Sequence, residues 1–244
     1  MKITTDALIV RENNNIGESD RFITALTREC GVIRASVRGA RNLKNRNSTA
    51  TQLLCHSRLT LYKGREKYIV DDAEPLHVFF KVREQLDSLA LAQYFCELAG
   101  VLGPQEEPAE EALRLLLNSL HYLAEGERPL PLLKAVTELR LLCQAGYMPA
   151  VADCAGCGND NGTWFSHVQG VLLCDTCRGA IPSLPVSPTV LAAMRHIVYA
   201  PFERCFAFSL PEAETAALCD VTEKFLLAQL GRSFNTLDFY HSVT

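Results

Sequence analysis

The sequence predicts an α+β, multidomain chain: a small five-stranded β-barrel at the N-terminus, followed by an all-α region carrying an inserted four-cysteine motif. Three observations predict it. Apolar and polar residues alternate through residues 1–80, the period lengthens to a helical one from about residue 81, and two Cys-x-x-Cys pairs interrupt the helical part. The expected domains are therefore 1–80 and 81–244, with the cysteine motif at about 150–182.

Five strands are expected at 3–12, 21–28, 31–39, 52–63 and 66–74, where Ile, Val, Thr, Leu and Tyr concentrate. The breaks between them carry turn residues: NNNIGESD at 13–20, Cys30-Gly31, GARNLKNRNSTA at 39–50 and Lys63-Gly64-Arg65. In 31–39, Ile33, Ala35 and Val37 alternate with Arg34, Ser36 and Arg38. In 52–62, Leu53, Cys55, Leu59 and Leu61 alternate with His56, Arg58, Thr60 and Tyr62. One apolar face in each of these two strands, with basic groups on the other, suits a small closed barrel rather than a sheet buried on both sides. Five strands in this length match the OB-fold, whose open face suits oligonucleotides.

The helical period then takes over. In 82–103, Leu91, Tyr94, Phe95, Leu98 and Leu102 share one stripe, and Gly103-Pro104 is a stop signal. Helices are expected at about 108–125, at 130–145 ending near Gly146, at 188–199 capped by Ser187-Pro188, and at 212–231 closing at Gly231. The stripes read as core faces rather than cofactor sites.

Composition sets the class. Of 244 residues, 48% are apolar and 21% charged, and the mean hydropathy of +0.04 fits a chain with an ordinary core. No run approaches the apolar length of a membrane span. MKITTDALIVREN lacks a basic region leading into an apolar run, which argues against secretion and for a cytoplasmic location. Ten cysteines in such a chain do not form a disulfide framework. Cys30, Cys55, Cys96, Cys143, Cys205 and Cys219 read as small core residues.

The other four cysteines, Cys154, Cys157, Cys174 and Cys177, form two Cys-x-x-Cys knuckles sixteen residues apart. Each knuckle turns two sulfurs to one side of a tight loop, and two knuckles complete a tetrahedron with Zn–S near 2.3 Å. Gly156 and Gly158 relieve the backbone where it curls round the sulfurs. Four thiolates fill the coordination sphere, so one structural Zn2+ is expected; a redox dithiol pair and an iron–sulfur cluster are the alternatives.

The formal charge of −4 conceals an asymmetry. Residues 1–80 hold 13 Lys+Arg against 9 Asp+Glu, a net of +4, whereas the remainder holds 11 against 19, a net of −8. Within 28–67 the ratio is 10 to 2. Arg34 and Arg38 share a strand face, Arg41, Lys44 and Arg46 follow in a Gly/Asn/Ser-rich loop, and Arg58 lies beside His56 and Tyr62. These six cations are the candidate phosphate contacts. Tyr62 and Tyr68 are candidates for base stacking, against a reading as half-buried packing. No Walker loop, paired carboxylates or Gly-x-Ser-x-Gly is present, and the histidines do not cluster, so no catalytic residue is assigned and a non-enzymatic role is expected.

With these parts in order, the chain resembles the bacterial RecO family of DNA repair and recombination mediators. ALIVREN, GESDRFITALTRECGVIRASVRGAR, LRLLCQAGYMPAVADCAGCG and GVLLCDTC carry the resemblance. It implies an OB-fold followed by a zinc-bearing helical domain and binding of single- and double-stranded DNA. It also implies annealing of complementary strands, work with RecR and single-stranded-DNA-binding protein, loading of RecA, and a place at the nucleoid. An RNA-binding or ribosome-associated zinc-ribbon protein is the alternative. Arg114, Lys134 and Arg140 are the cations available in the helical part for an acidic partner tail.

Overall fold

The computed structural model describes residues 2–13, 20–40, 45, 47–64 and 67–244. The expected strands form as β1 (Lys2–Asn13), β2 (Arg21–Thr27), β3 (Gly31–Val37), β4 (Cys55–Lys63) and β5 (Tyr68–Val78), with a single-turn helix α1 (Asn47–Ala50) between β3 and β4. They close a barrel in the order β1-β2-β3-β5-β4. Every pairing is antiparallel except a short parallel seam of Ala35–Val37 against Tyr68–Val70. This is the five-stranded Greek-key barrel of the OB-fold.

The alternation in sequence becomes the inside and outside of the barrel. Ile9, Ile23, Ala25, Ile33, Ala35, Val37, Leu59, Leu61 and Val70 fill the interior. The start of the fourth strand differs from expectation. Residues 52–54 are a turn, and Leu54 takes φ +63° to swing the chain from α1 into β4. β1 and β2 are not one-faced throughout: Ala7, Leu8, Ile9 and Val10 are buried in succession, as is Leu26, because helices pack on the outer face there. α1 belongs to the barrel. Arg21, itself buried, donates from Nη1 to the Ser48 carbonyl at 3.0 Å and to Thr51 Oγ1 at 3.2 Å. Asn47 Oδ1 accepts from the Ala73 N–H at 3.1 Å, and Ala50 joins the interior.

The helical part begins with a 3-10 turn at Phe80–Arg83, so α2 starts only at Leu86 and runs to Leu102. α3 (Glu110–Glu125) and α4 (Leu130–Gln144) follow. Next come a small sheet and its flanking turn: β6 (Trp164–Ser166), β7 (Val171–Leu173), α5 (Asp175–Arg178) and β8 (Leu184–Pro185). The chain ends with α6 (Pro188–Tyr199), α7 (Glu212–Leu230) and α8 (Asn235–Val243). The expected caps are present. Ser187 Oγ accepts from the Val190 N–H at 3.1 Å with Pro188 in the first turn, and Gly231 closes α7 in the left-handed region.

By packing, the chain divides into two compact units, Met1–Glu127 with Phe234–Thr244, and Arg128–Ser233. The first holds the barrel, α2, α3 and the returning α8. α8 docks on α2 through Tyr94 against Phe234, rings edge-on at 5.9 Å, and through Thr236 Oγ1, which donates to Glu97 at 2.5 Å. The second packs α4 against α7 and α6 and ties β6 to α7 through Phe165 and Phe225, 5.4 Å apart. No helix among the described residues is long and apolar enough to cross a membrane.

Candidate metal centre and nucleic-acid surface

Each cysteine knuckle is one turn closed by a hydrogen bond to the first cysteine's carbonyl. The Gly158 N–H donates to Cys154 O at 2.8 Å, and the Arg178 N–H donates to Cys174 O at 2.9 Å. The Ala155 N–H donates to Leu172 O at 2.8 Å, anchoring the first knuckle on β7, which leads directly into the second. A Cβ on Gly156 would lie 2.7 Å from Cys177 Cβ and 2.8 Å from its Sγ, so the close approach of the knuckles demands glycine there. Gly158, at φ +74°, supplies the left-handed turn after the first knuckle.

The four sulfurs lie within 4.8 Å of one another, and Cys157 Sγ is 3.9 Å from Cys174 Sγ. A tetrahedron with 2.3 Å bonds has edges of about 3.8 Å. The donor set thus fits a tetrahedral thiophilic ion and is far too open for disulfides. The Cys174 N–H donates to Cys154 Sγ at 3.2 Å. Although burial opposes it, this N–H, with those of Cys157 and Gly156, brings the Cys154 thiol down to about 6. Hydrogen bonding to the sulfurs of Cys174 and Cys157, with burial, pushes Cys177 up to about 12. The polypeptide thus favours the thiolate at Cys154 and opposes it at Cys157 and Cys177.

Sequence reading missed the support beside the knuckles. Trp164 Nε1 donates to Asp175 Oδ1 at 2.7 Å, and the Arg178 guanidinium lies 3.5 Å from the Trp164 ring centroid. The only signal was that the chain's single tryptophan lies between the knuckles, with an Asp inside the second knuckle and an Arg directly after it. Of the remaining cysteines, Cys30, Cys55, Cys96 and Cys205 are buried, and Cys143 and Cys219 are half-buried. Burial pushes Cys96 up to about 12, as expected of an inert packing residue.

On the barrel, Arg34 and Arg38 are exposed. Arg34 is paired in register with Thr24, which is paired with Arg11, an exposed arginine that sequence reading did not single out. The three-strand row Arg11–Thr24–Arg34 thus brings two guanidinium groups to one face. Asp20 Oδ1 accepts from the Gly39 N–H, and Asn45 Nδ2 donates to Arg38 O, both at 2.9 Å, which pins the chain just after β3. Arg41, Lys44 and Arg46 lie outside the described residues.

Arg58 is not an open cation. It sits opposite Asp6 and donates from Nε to Asp6 Oδ1 at 2.9 Å, which holds the Asp6 carboxyl below its usual range. Tyr68 points into the barrel and is buried, whereas Tyr62 is 44% exposed. In the helical part Lys134 is wholly buried and cannot meet a partner; it contacts Glu138 at 2.7 Å and Glu223 at 2.6 Å. Arg140 is committed to the carbonyls of Ile197, Val198 and Ala200 at 3.0–3.1 Å, and Arg114 is exposed on α3.

Comparison with known proteins matches both parts. The family model for the Recombination protein O N terminal covers residues 1–79, and that for the Recombination protein O C terminal covers residues 83–238. The DNA repair protein RecO of Acetivibrio thermocellus is 32% identical over 244 residues, covering 97% of this chain and 95% of that protein. The RecO of Symbiobacterium thermophilum is 34% identical over 241 residues, covering 96% and 94%. That of Desulforudis audaxviator is 32% identical over 238 residues, again covering 96% and 94%. The chain belongs to the RecO family of DNA repair proteins.

Proposed function

We propose that the chain binds single- and double-stranded DNA on its barrel, anneals complementary strands without catalysing any covalent step, and helps load RecA. In this reading it acts with RecR on DNA coated by single-stranded-DNA-binding protein, in the cytoplasm at the nucleoid. The observation that carries the proposal is the set of exposed arginines on the barrel, Arg11, Arg34 and Arg38, which have no ion-pair partner among the described residues. Cations so placed track phosphates without reading sequence, and neutralising two backbones lowers the repulsion between strands. Arg41, Lys44 and Arg46 extend the same cationic run in sequence. Arg58 contributes less, because Asp6 already meets its charge.

The ion proposed for Cys154, Cys157, Cys174 and Cys177 is one Zn2+, since thiolates in a closed tetrahedral set suit it. It supplies folding energy to a segment with little core of its own and leaves no position for substrate.

The test is annealing of complementary oligonucleotides coated with single-stranded-DNA-binding protein, comparing the native chain with Arg34→Ala/Arg38→Ala. Annealing by the native chain that drops several-fold in the variant is expected. Equal rates, or RNA displacing DNA at low concentration, would overturn the reading.

A further inference from the structure

The barrel's strand register places an aromatic row between its cations. Reading round the wall, Asn13 on β1 pairs with Phe22 on β2, Phe22 with Ser36 on β3, Ser36 with Ile69 on β5, Ile69 with Tyr62 on β4, and Tyr62 with Lys2 on β1. Residues paired in register share a face, and the neighbours Ile23, Ala35, Val37, Val70 and Leu61 fill the interior. The row is therefore the outer wall. Phe22 and Ile69 are half-buried and Tyr62 is exposed, while the small Ser36 between Phe22 and Ile69 is buried.

Charges border this row on both sides. Arg34 lies one pleat before Ser36 on β3, Arg38 follows in the turn just past the strand's end, and Arg11 extends the Arg34 side. Lys67 Nζ stands 4.7 Å from the Phe22 ring centroid, and Lys2 Nζ 5.8 Å from that of Tyr62. Three strand spacings separate Phe22 from Tyr62, about 14 Å of wall.

We propose that Phe22 and Tyr62 form a stacking track for the unpaired bases of single-stranded DNA, whose phosphates lie along Arg11, Arg34 and Arg38. The inference rests on the nucleic-acid reading above and deepens it. Bases in a duplex are already stacked on one another and cannot offer a face to a side chain, whereas those of a single strand can. The two forms of DNA then depend on different residues: duplex on the arginines alone, single strand on arginines and rings together. Lys67, on the Phe22 ring in the free protein, moves to a phosphate when a base takes its place.

The experiment measures binding of full-length protein to oligothymidine, to an abasic phosphodiester of equal length and to a duplex of equal length, across a salt series. The native chain is expected to prefer oligothymidine to the abasic strand by about tenfold, the scale of base–aromatic stacking. Phe22→Leu/Tyr62→Leu keeps apolar bulk but removes both rings. It should abolish that preference while leaving duplex affinity and the salt slope unchanged. If the double variant fails to fold, Tyr62→Leu, whose ring is already 44% exposed, carries the test with a smaller loss in the same direction. Equal native affinity for oligothymidine and abasic strand overturns this inference alone and leaves the DNA-binding reading intact, as does an equal loss on duplex. Native protein that binds no DNA at all sinks both.

Discussion

The barrel and the Arg128–Ser233 unit use the same residue types for opposite purposes. In the second unit most of the cations are consumed by the fold. Arg140 satisfies three carbonyls at the end of α6, and Arg195 satisfies those of Val151 and Ala152 at 2.8 and 2.6 Å. Arg128 donates to Phe208 O, Lys224 pairs with Asp220, and Arg178 lies on Trp164. Lys134 sits between two carboxylates with no exposure at all. On the barrel, by contrast, Arg11, Arg34 and Arg38 point to solvent. Net charge alone would have ranked the two regions correctly but for the wrong reason. What distinguishes them is how many cations the backbone and the carboxylates leave over.

The largest test of this contrast is at the metal centre. Cys154→Ser/Cys177→Ser is expected to reduce bound zinc from one per chain to none and to unfold the segment around 150–185. Structural zinc in small modules is worth about 10–16 kcal/mol. Elemental analysis and Trp164 emission would follow the loss, while DNA affinity on the barrel should change less than about twofold, since the sulfurs supply no phosphate contact. A matching collapse of DNA binding would break the division of labour.

Next is Lys134→Ala. It removes the buried ammonium that contacts both Glu138 and Glu223, while Thr222 Oγ1 still donates to Glu138 at 2.9 Å. Removing one partner of a buried pair costs about 3–5 kcal/mol. Urea unfolding should register that loss with the DNA salt slope untouched. Arg34→Ala/Arg38→Ala should do the reverse: nearly native stability, with the log–log salt slope on duplex DNA shallower by about 1.8, at about 0.9 per phosphate released.

The smallest effect is expected at His56. Burial, reinforced by His77, Arg28 and Arg58 against the attraction of Asp6, lowers its pKa from 6.5. Above that value both states carry a neutral ring. As pH falls through 6.5 the unfolded chain takes the proton first, so the barrel loses stability until its own lower pKa is passed, where the loss levels off. The slope stays below about 1.4 kcal/mol per pH unit, and His56→Gln should flatten it in urea titrations at about pH 7.5 and about pH 5.5.

Legibility in the sequence followed the range of the interaction. The cysteine knuckles were legible because a Cys-x-x-Cys turn is settled within five residues, and the barrel was legible because alternation is a local property. The Asp6–Arg58 pair was not, since the partners are 52 residues apart and meet only through the β1–β4 register. Phe22 and Arg11 were passed over for the same reason: their neighbours are on other strands. α8 escaped because its nine residues bury only Leu237 and Tyr240, too few to show a period. α1, spelled Asn-Ser-Thr-Ala, has the composition of a loop and is helical because Arg21 and Asn47 tie it to the barrel. The change of period near residue 81 marks a change of secondary structure, whereas packing divides the chain at Glu127 and Arg128, because α2 and α3 cover the apolar outer wall of β1 and β2.

The return of α8 to α2 also sets a schedule for biosynthesis. The unit that carries the barrel is written in two instalments, with the whole Arg128–Ser233 unit emerging between them. Until Phe234–Thr244 leave the ribosome, Tyr94 lacks its aromatic partner and Glu97 its hydroxyl. The barrel's unit is thus begun before the Arg128–Ser233 unit and completed after it, and the inserted unit can fold while its host waits.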